Sequence, residues 1–254
     1  MEHIIGFFKK IENNKKVPNF DALTLICIFS LGLVGLSFIA SIISIILTNI
    51  PEFSTLSVGL QSSIHLFISY FLLLIILCLI CFFVKPIWVY LKERITIKEE
   101  IIEGIAIAAM TFALATAYSL ISNSLFPHGS NNNQDGLQSS FEAQPLLSFF
   151  CIVVFAPICE ELTYRLGLFG LIAKKSNILA FIVTILIFAL IHFDFSAKDI
   201  VNELINLPAY LIGAFCLSYA YYRKGSIITS ITAHALYNFS QFIIMFIATF
   251  ILKQ

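Results

Sequence analysis

Six polar side chains interrupt apolar runs in the second half of a 254-residue chain, and their types are those that move protons and stabilise carbonyl oxygens. Glu160 and Glu161 are adjacent, with Arg165 four residues on. His192 closes the run Phe188-Ala189-Leu190-Ile191-His192. His234 and Asn238 stand four apart in His234-Ala235-Leu236-Tyr237-Asn238. A carboxylate beside an imidazole can hold a water and remove its proton. A second imidazole and a carboxamide can donate hydrogen bonds to an oxyanion developing on a carbonyl. Together, Glu160, His192, His234 and Asn238 are the parts for adding water to an amide, with no serine or cysteine nucleophile. Cys159 adjoins Glu160, but consecutive helical residues point about 100° apart.

Glu161 and Arg165 have the acid-first i,i+4 order that favours an ion pair on a helix, and they read as structural support. Pro157, one turn earlier, removes a donor and frees the carbonyl of residue 153, which loosens the helix and admits water near the carboxylates.

The elements that carry these groups follow from composition. The chain is 59% hydrophobic and 12% charged, with a mean hydropathy of +0.95, against about 25% charged residues in soluble domains. Its main solvent is lipid, where ionisable groups are costly and mark function by default. A bilayer core of about 30 Å needs about 20 apolar residues per helix, and an open strand would leave its backbone unpaired there. The expected fold is all-α, a polytopic transmembrane helix bundle of about seven spans, near 22–48, 64–84, 101–123, 145–173, 177–195, 203–222 and 226–251. An eighth span or a re-entrant piece would alter the C-terminal half. Two regions are expected: 1–140, with N-terminal helices and the polar loop at 129–140 (containing Asn131, Asn132 and Asn133), and 141–254, with the reactive groups.

Lys and Arg cluster before the first span and after the second, fourth and sixth, whereas the opposite loops hold Lys198 and the far end Lys253. This bias predicts a cytoplasmic N-terminus. The fourth and fifth spans form a hairpin about Lys174-Lys175-Ser176-Asn177, with Glu160 sixteen residues before Ser176 and His192 sixteen after. Both then lie about 20–24 Å from the turn, and His234 and Asn238 lie about 15–21 Å beyond Lys224 at the same surface. Adjacent packing would bring all four into one layer.

Other features are given ordinary readings. Zero net charge gives no argument for a nucleic-acid partner, there is no Gly-rich phosphate loop, and none is expected. The Cys78/Cys81 pair reads as two small hydrophobes. The first apolar run is too long for a cleaved leader and reads as a retained span. His3, His65 and His128 are not placed to join the cluster.

Glu160-Glu161-x-x-x-Arg165, Phe188-x-x-x-His192 and His234-x-x-x-Asn238 resemble the three signatures of the CAAX protease and bacteriocin-processing family (also called Abi, or type II CAAX prenyl endopeptidases), over about 145–245. The resemblance implies an intramembrane endopeptidase in which Glu160 and His192 activate water and His234 and Asn238 stabilise the oxyanion. Members are described both as metal-dependent and as glutamate-type. HExxH is absent, yet Glu160, His192 and His234 would be suitable Zn ligands if they meet. The metal-free mechanism is preferred here. The implied partner is a membrane-associated peptide or protein, prenylated or a bacteriocin or signal-peptide precursor, within the lipid bilayer of a bacterial plasma membrane. Two other readings use the same residues: a non-catalytic bacteriocin self-immunity protein, and an ion-coupled transporter. Lack of inverted repeats argues against the transporter.

Overall fold

A computed structural model describes residues 9 and 11–252; His3, Lys10 and Lys253 lie outside the described residues. Among the described residues the regular structure is helical, with no strand. The helices are α1 (Ala22–Thr48), α2 (Val58–Phe83), α3 (Lys85–Arg94), α4 (Lys98–Leu125), α5 (Asn132–Ala143), α6 (Pro145–Ala173), α7 (Asn177–Leu190), α8 (Ile200–Lys224) and α9 (Ile227–Phe250). α1, α2, α4, α6, α8 and α9 are long and apolar enough to cross a membrane. The chain is thus a polytopic membrane helix bundle.

Local sequence sets the ends. Asp21, Ser57, Asn131, Ser176 and Asp199 each accept a backbone N–H at a helix start, satisfying donors that the first turn leaves free. Pro145 occupies the first turn of α6, where its missing N–H costs nothing. Gly225 ends α8 with φ of 64°. A Cβ there would lie 1.8 Å from the Lys16 carbonyl oxygen, so both its conformation and its crowding call for glycine.

The fifth expected span is shorter than its apolar run. α7 stops at Leu190 after 14 residues, about 21 Å of helix. His192 and Phe193 close 3.2 Å bonds to the carbonyls of Ala189 and Leu190 in a tight turn. Asp194 then accepts from the Ser196 N–H and hydroxyl. Local polar side chains thereby compete with the helix for the backbone, and His192 sits just beyond it.

The outer surface is apolar (Val34, Phe38, Phe83 and Leu120 are more than 60% exposed), while Glu161, Arg165, Ser230 and His234 are buried. This inverts a soluble protein and suits a lipid solvent. α1 and α6 meet through two glycines. A Cβ on Gly32 would lie 1.8 Å from Thr163 Oγ1, and one on Gly167 would lie 2.9 Å from the Phe29 nitrogen. Small residues allow such backbone approach between membrane helices, and here they hold α6 centrally.

Hydrogen bonds knit each end of the bundle separately. At one end, Glu12 accepts from Ser176 at 2.5 Å, Asn14 donates to the Tyr222 carbonyl at 3.0 Å, and Tyr90 donates to the Gly225 carbonyl at 2.8 Å. At the other, Asn132 donates to Asp194 at 2.7 Å and Asn202 to the Ser130 carbonyl at 2.6 Å. The connection 126–131 and helix α5 belong to this second end, packed over the starts of α2 and α8.

Candidate active site

α6 changes its winding around the paired carboxylates. Residues Phe150–Phe155 and Leu162–Phe169 are π-helical, and Ala156–Glu161 between them is α-helical. Such widened turns often mark functional positions. Just before Pro157, the Ala156 N–H reaches back five residues to the Cys151 carbonyl. In that register, proline's missing N–H would have served residue 152. The Ile152 carbonyl instead accepts Asn238 Nδ2 at 2.9 Å. Uniform α-winding would free the carbonyl of residue 153, the one expected from the sequence to admit water. The π-turn moves it to residue 152, where it fixes the carboxamide of Asn238.

Glu160, His192, His234 and Asn238 all line one cavity of about 470 Å³. Glu160 presents Oε1 to the Tyr70 hydroxyl, which donates at 3.3 Å. Its Oε2 is buried without a hydrogen-bond partner and lies 3.9 Å from His234 Nε2. That is too long for a direct hydrogen bond, so a polar acceptor faces the cavity unused. His192 Nδ1 lies 2.8 Å from the Phe188 carbonyl. A carbonyl can only accept, so Nδ1 carries the proton and Nε2 of the neutral ring is the basic nitrogen. The His192 ring stacks on Tyr210 at 4.8 Å and 22°.

Glu161 has no exposed surface and does more than pair with Arg165. Oε1 accepts Arg165 Nη1 at 2.8 Å and lies 2.8 Å from His234 Nδ1; Oε2 accepts the Ser230 hydroxyl. The carboxylate holds the His234 ring with Nδ1 as donor and Nε2 toward Glu160. Arg165, equally buried, also donates to the Ala214 carbonyl at 3.2 Å and lies 4.3 Å over the Phe188 ring. Phe188 in turn packs against His192 at 5.0 Å and His234 at 5.9 Å. The phenylalanine of Phe188-x-x-x-His192 is therefore the wall that seats the arginine and both imidazoles.

Sequence reasoning missed Tyr70, Ser230 and Tyr210. Ser230 carries a signal, standing four residues before His234 on the same face of α9. Tyr70 carries none, being one tyrosine in the apolar helix α2. Asn131 and Asn133, expected in a separating loop, line the cavity mouth, and α5 grows out of the loop as a cap. His65 bonds the Ala40 carbonyl at 2.7 Å and His128 the Phe126 carbonyl at 2.7 Å; neither lines this cavity.

Among the described residues no three His, Cys, Asp or Glu side chains are gathered closely enough to form a metal site. Glu161 and the Phe188 carbonyl hold Nδ1 of His234 and of His192, which leaves the Nε2 atom of each ring as its remaining ligating nitrogen.

Residues 142–240 match the family profile described as Type II CAAX prenyl endopeptidase Rce1-like. An uncharacterized protein of Mycoplasma capricolum subsp. capricolum is 32% identical over 160 residues, covering 59% of this chain and 45% of the relative. The UPF0177 protein YvdC of Lactococcus lactis subsp. lactis is 26% identical over 139 residues, 55% of this chain and 49% of that one. The UPF0177 protein YxdF of the same organism is 30% identical over 89 residues, 35% and 45%. The chain spans about half the length of the curated relatives it matches. No solved structure matches it. The matched segment holds all three motifs, and over it the chain is similar to the type II CAAX prenyl endopeptidases.

Proposed function

We propose that the protein is an intramembrane endopeptidase that hydrolyses a peptide bond of a membrane-associated polypeptide with a water activated by Glu160 and His192. The unit 141–254 would carry the chemistry, and 1–140 would supply Tyr70 and the capping segment. The observation that carries this reading is the unused Glu160 Oε2 in a cavity shared with His192, His234 and Asn238. A water held between Glu160 Oε2 and His192 Nε2 would lose its proton to one of them as its oxygen attacks the carbonyl carbon. The carbonyl oxygen gains the negative charge. His234 Nε2, when that ring is protonated, and the second N–H of Asn238 Nδ2 are the donors for it. Collapse of this intermediate breaks the C–N bond, and the proton taken from water passes to the leaving amine. Tyr70, through Glu160 Oε1, orients the base. Glu161, Arg165 and Phe188 hold His234.

This route uses no covalent enzyme intermediate and no metal. It is tested by cleavage of a library of membrane-associated peptides in H₂¹⁸O with purified protein. Direct attack places one ¹⁸O in the new carboxylate and yields no peptide adduct under rapid denaturation. A trapped adduct on Cys159 or any other side chain would overturn it.

A further inference from the structure

We propose that the reaction cavity is entered from the non-cytoplasmic face of the membrane, so that its substrate is a peptide segment displayed outside the cytoplasm. This deepens the peptidase reading and rests on it for the word substrate, but the side of entry stands on charge and geometry alone.

The chain's zero net charge hides a separation along the bundle. Eleven of the thirteen described Lys and Arg residues lie at one end: three in 9–16, four in 85–98, two at 174–175 and two at 223–224. Arg165 is central, and Lys198 alone lies at the other end. The structure gathers the basic segments at one end. The 9–16 segment bonds to Asn177 and Tyr222, Tyr90 bonds to Gly225, and Glu103 pairs with Arg223 at 2.7 Å. Trp88 lies on the short helix α3 at this end, with Lys92 Nζ 5.8 Å over its ring, the pairing expected at a headgroup boundary. All these connections are short, the regime in which Lys and Arg govern orientation, so this end is cytoplasmic.

The cavity opens at the opposite end. From Glu160 its lining passes outward to Ser130, Asn131, Asn133 and Asn206. Ser130, Asn131 and Asn133 come from the connection 126–131 and the first turn of α5. Asn206 is in the second turn of α8, whose last residues are Arg223 and Lys224. Behind Glu160, toward the basic end, the packing is closed by fully buried Arg165, Leu166, Phe169 and Tyr221. A cytoplasmic C-terminal tail, the usual setting of an isoprenylated cysteine, would meet that closed side. A secreted or surface-bound peptide would meet the mouth.

Single cysteines read the side of entry without any turnover. Gly129 and Gly136 flank the mouth, and a Cβ at either meets nothing within 4 Å, so Gly129→Cys and Gly136→Cys fit the fold. Lys175→Cys reports the basic end. In a background with Cys27 and Cys78 replaced by serine, spheroplasts and inside-out vesicles carrying the full chain are treated with a membrane-impermeant maleimide. The expected result is labelling of Gly129→Cys and Gly136→Cys in spheroplasts, with Lys175→Cys labelled only in inside-out vesicles. The reverse pattern, or equal labelling of all three from one side, overturns the proposal. Failure of peptide cleavage in the separate assay would count against the peptidase reading and leave this result unchanged.

Discussion

Arg165 and Glu161 offer a perturbation whose size follows from their surroundings. Both side chains are wholly buried, 2.8 Å apart. In Arg165→Met the Glu161 carboxylate keeps Ser230 and His234 but loses its only cationic arginine partner. Removing one member of a buried pair costs about 3–5 kcal/mol, a factor of about 10²–10³ or more in the folding equilibrium. Glu161→Gln strands the guanidinium and should cost a similar amount. The double variant carries neither charge, and the carboxamide introduced by Glu161→Gln can still accept from His234 through its oxygen while its NH2 donates to the Ser230 hydroxyl, which keeps the Leu217 carbonyl as its own acceptor. It should recover most of the loss, leaving about 1–2 kcal/mol for the missing bond to the Ala214 carbonyl and the Phe188 contact. Equilibrium unfolding in one detergent system gives the cycle, with an expected coupling of at least about 2 kcal/mol. Peptide turnover should stay low in the stable double variant, since an amide cannot balance a charged His234. Losses that simply add would refute electrostatic pairing as the role of Arg165. Full turnover in the double variant would refute the charge role of Glu161.

Two further outcomes follow from charge. Glu12 accepts from Ser176 and the N–H groups of Asn177 and Ile178; the Ser176 hydroxyl bond, then the backbone bonds, hold its carboxyl below the usual range. A lowered folded pKa means this docking is fully present above the unfolded value and is lost as pH falls through the lowered one. Hydrogen exchange at Asn177 and Ile178, corrected for intrinsic rates, should rise in that acid window and at neutral pH in Glu12→Gln. At the mouth end, six acidic residues (Glu52, Asp135, Glu142, Asp194, Asp199 and Glu203) face a single described base, Lys198. Basic peptides should therefore bind faster than acidic ones of equal hydropathy in stopped-flow measurements, with the advantage shrinking as the Debye length falls from about 30 Å at 0.01 M salt to about 8 Å at 0.15 M.

Much of this was legible because a lipid solvent makes polar residues conspicuous. Glu160, His192, His234 and Asn238 stood out against apolar runs, and counting residues from two turns put them at one depth. The helix count came from length and hydropathy, and its weakest member was α7, where His192 and Asp194 end the helix inside a hydrophobic stretch. The freed carbonyl was misplaced by one residue because π-winding leaves no mark in a hydropathy pattern. Tyr70 was invisible because its partner, Glu160, is 90 residues away and nothing in α2 itself distinguishes it. Glu161 was half read: spacing on one helix found Arg165, but the bonds to Ser230 and His234 depend on how α6 and α9 meet. The acid excess at the mouth was hidden by summing to zero.

The most direct measurement is cleavage of a membrane-peptide library by purified wild type, Glu160→Gln and His192→Ala, each with and without a chelator. Water activation by this pair predicts wild-type cleavage that the chelator leaves intact, with losses of about 10²–10⁴-fold in each variant. Cleavage by folded Glu160→Gln at the wild-type rate, or loss of wild-type cleavage to the chelator with restoration by Zn²⁺, would contradict it.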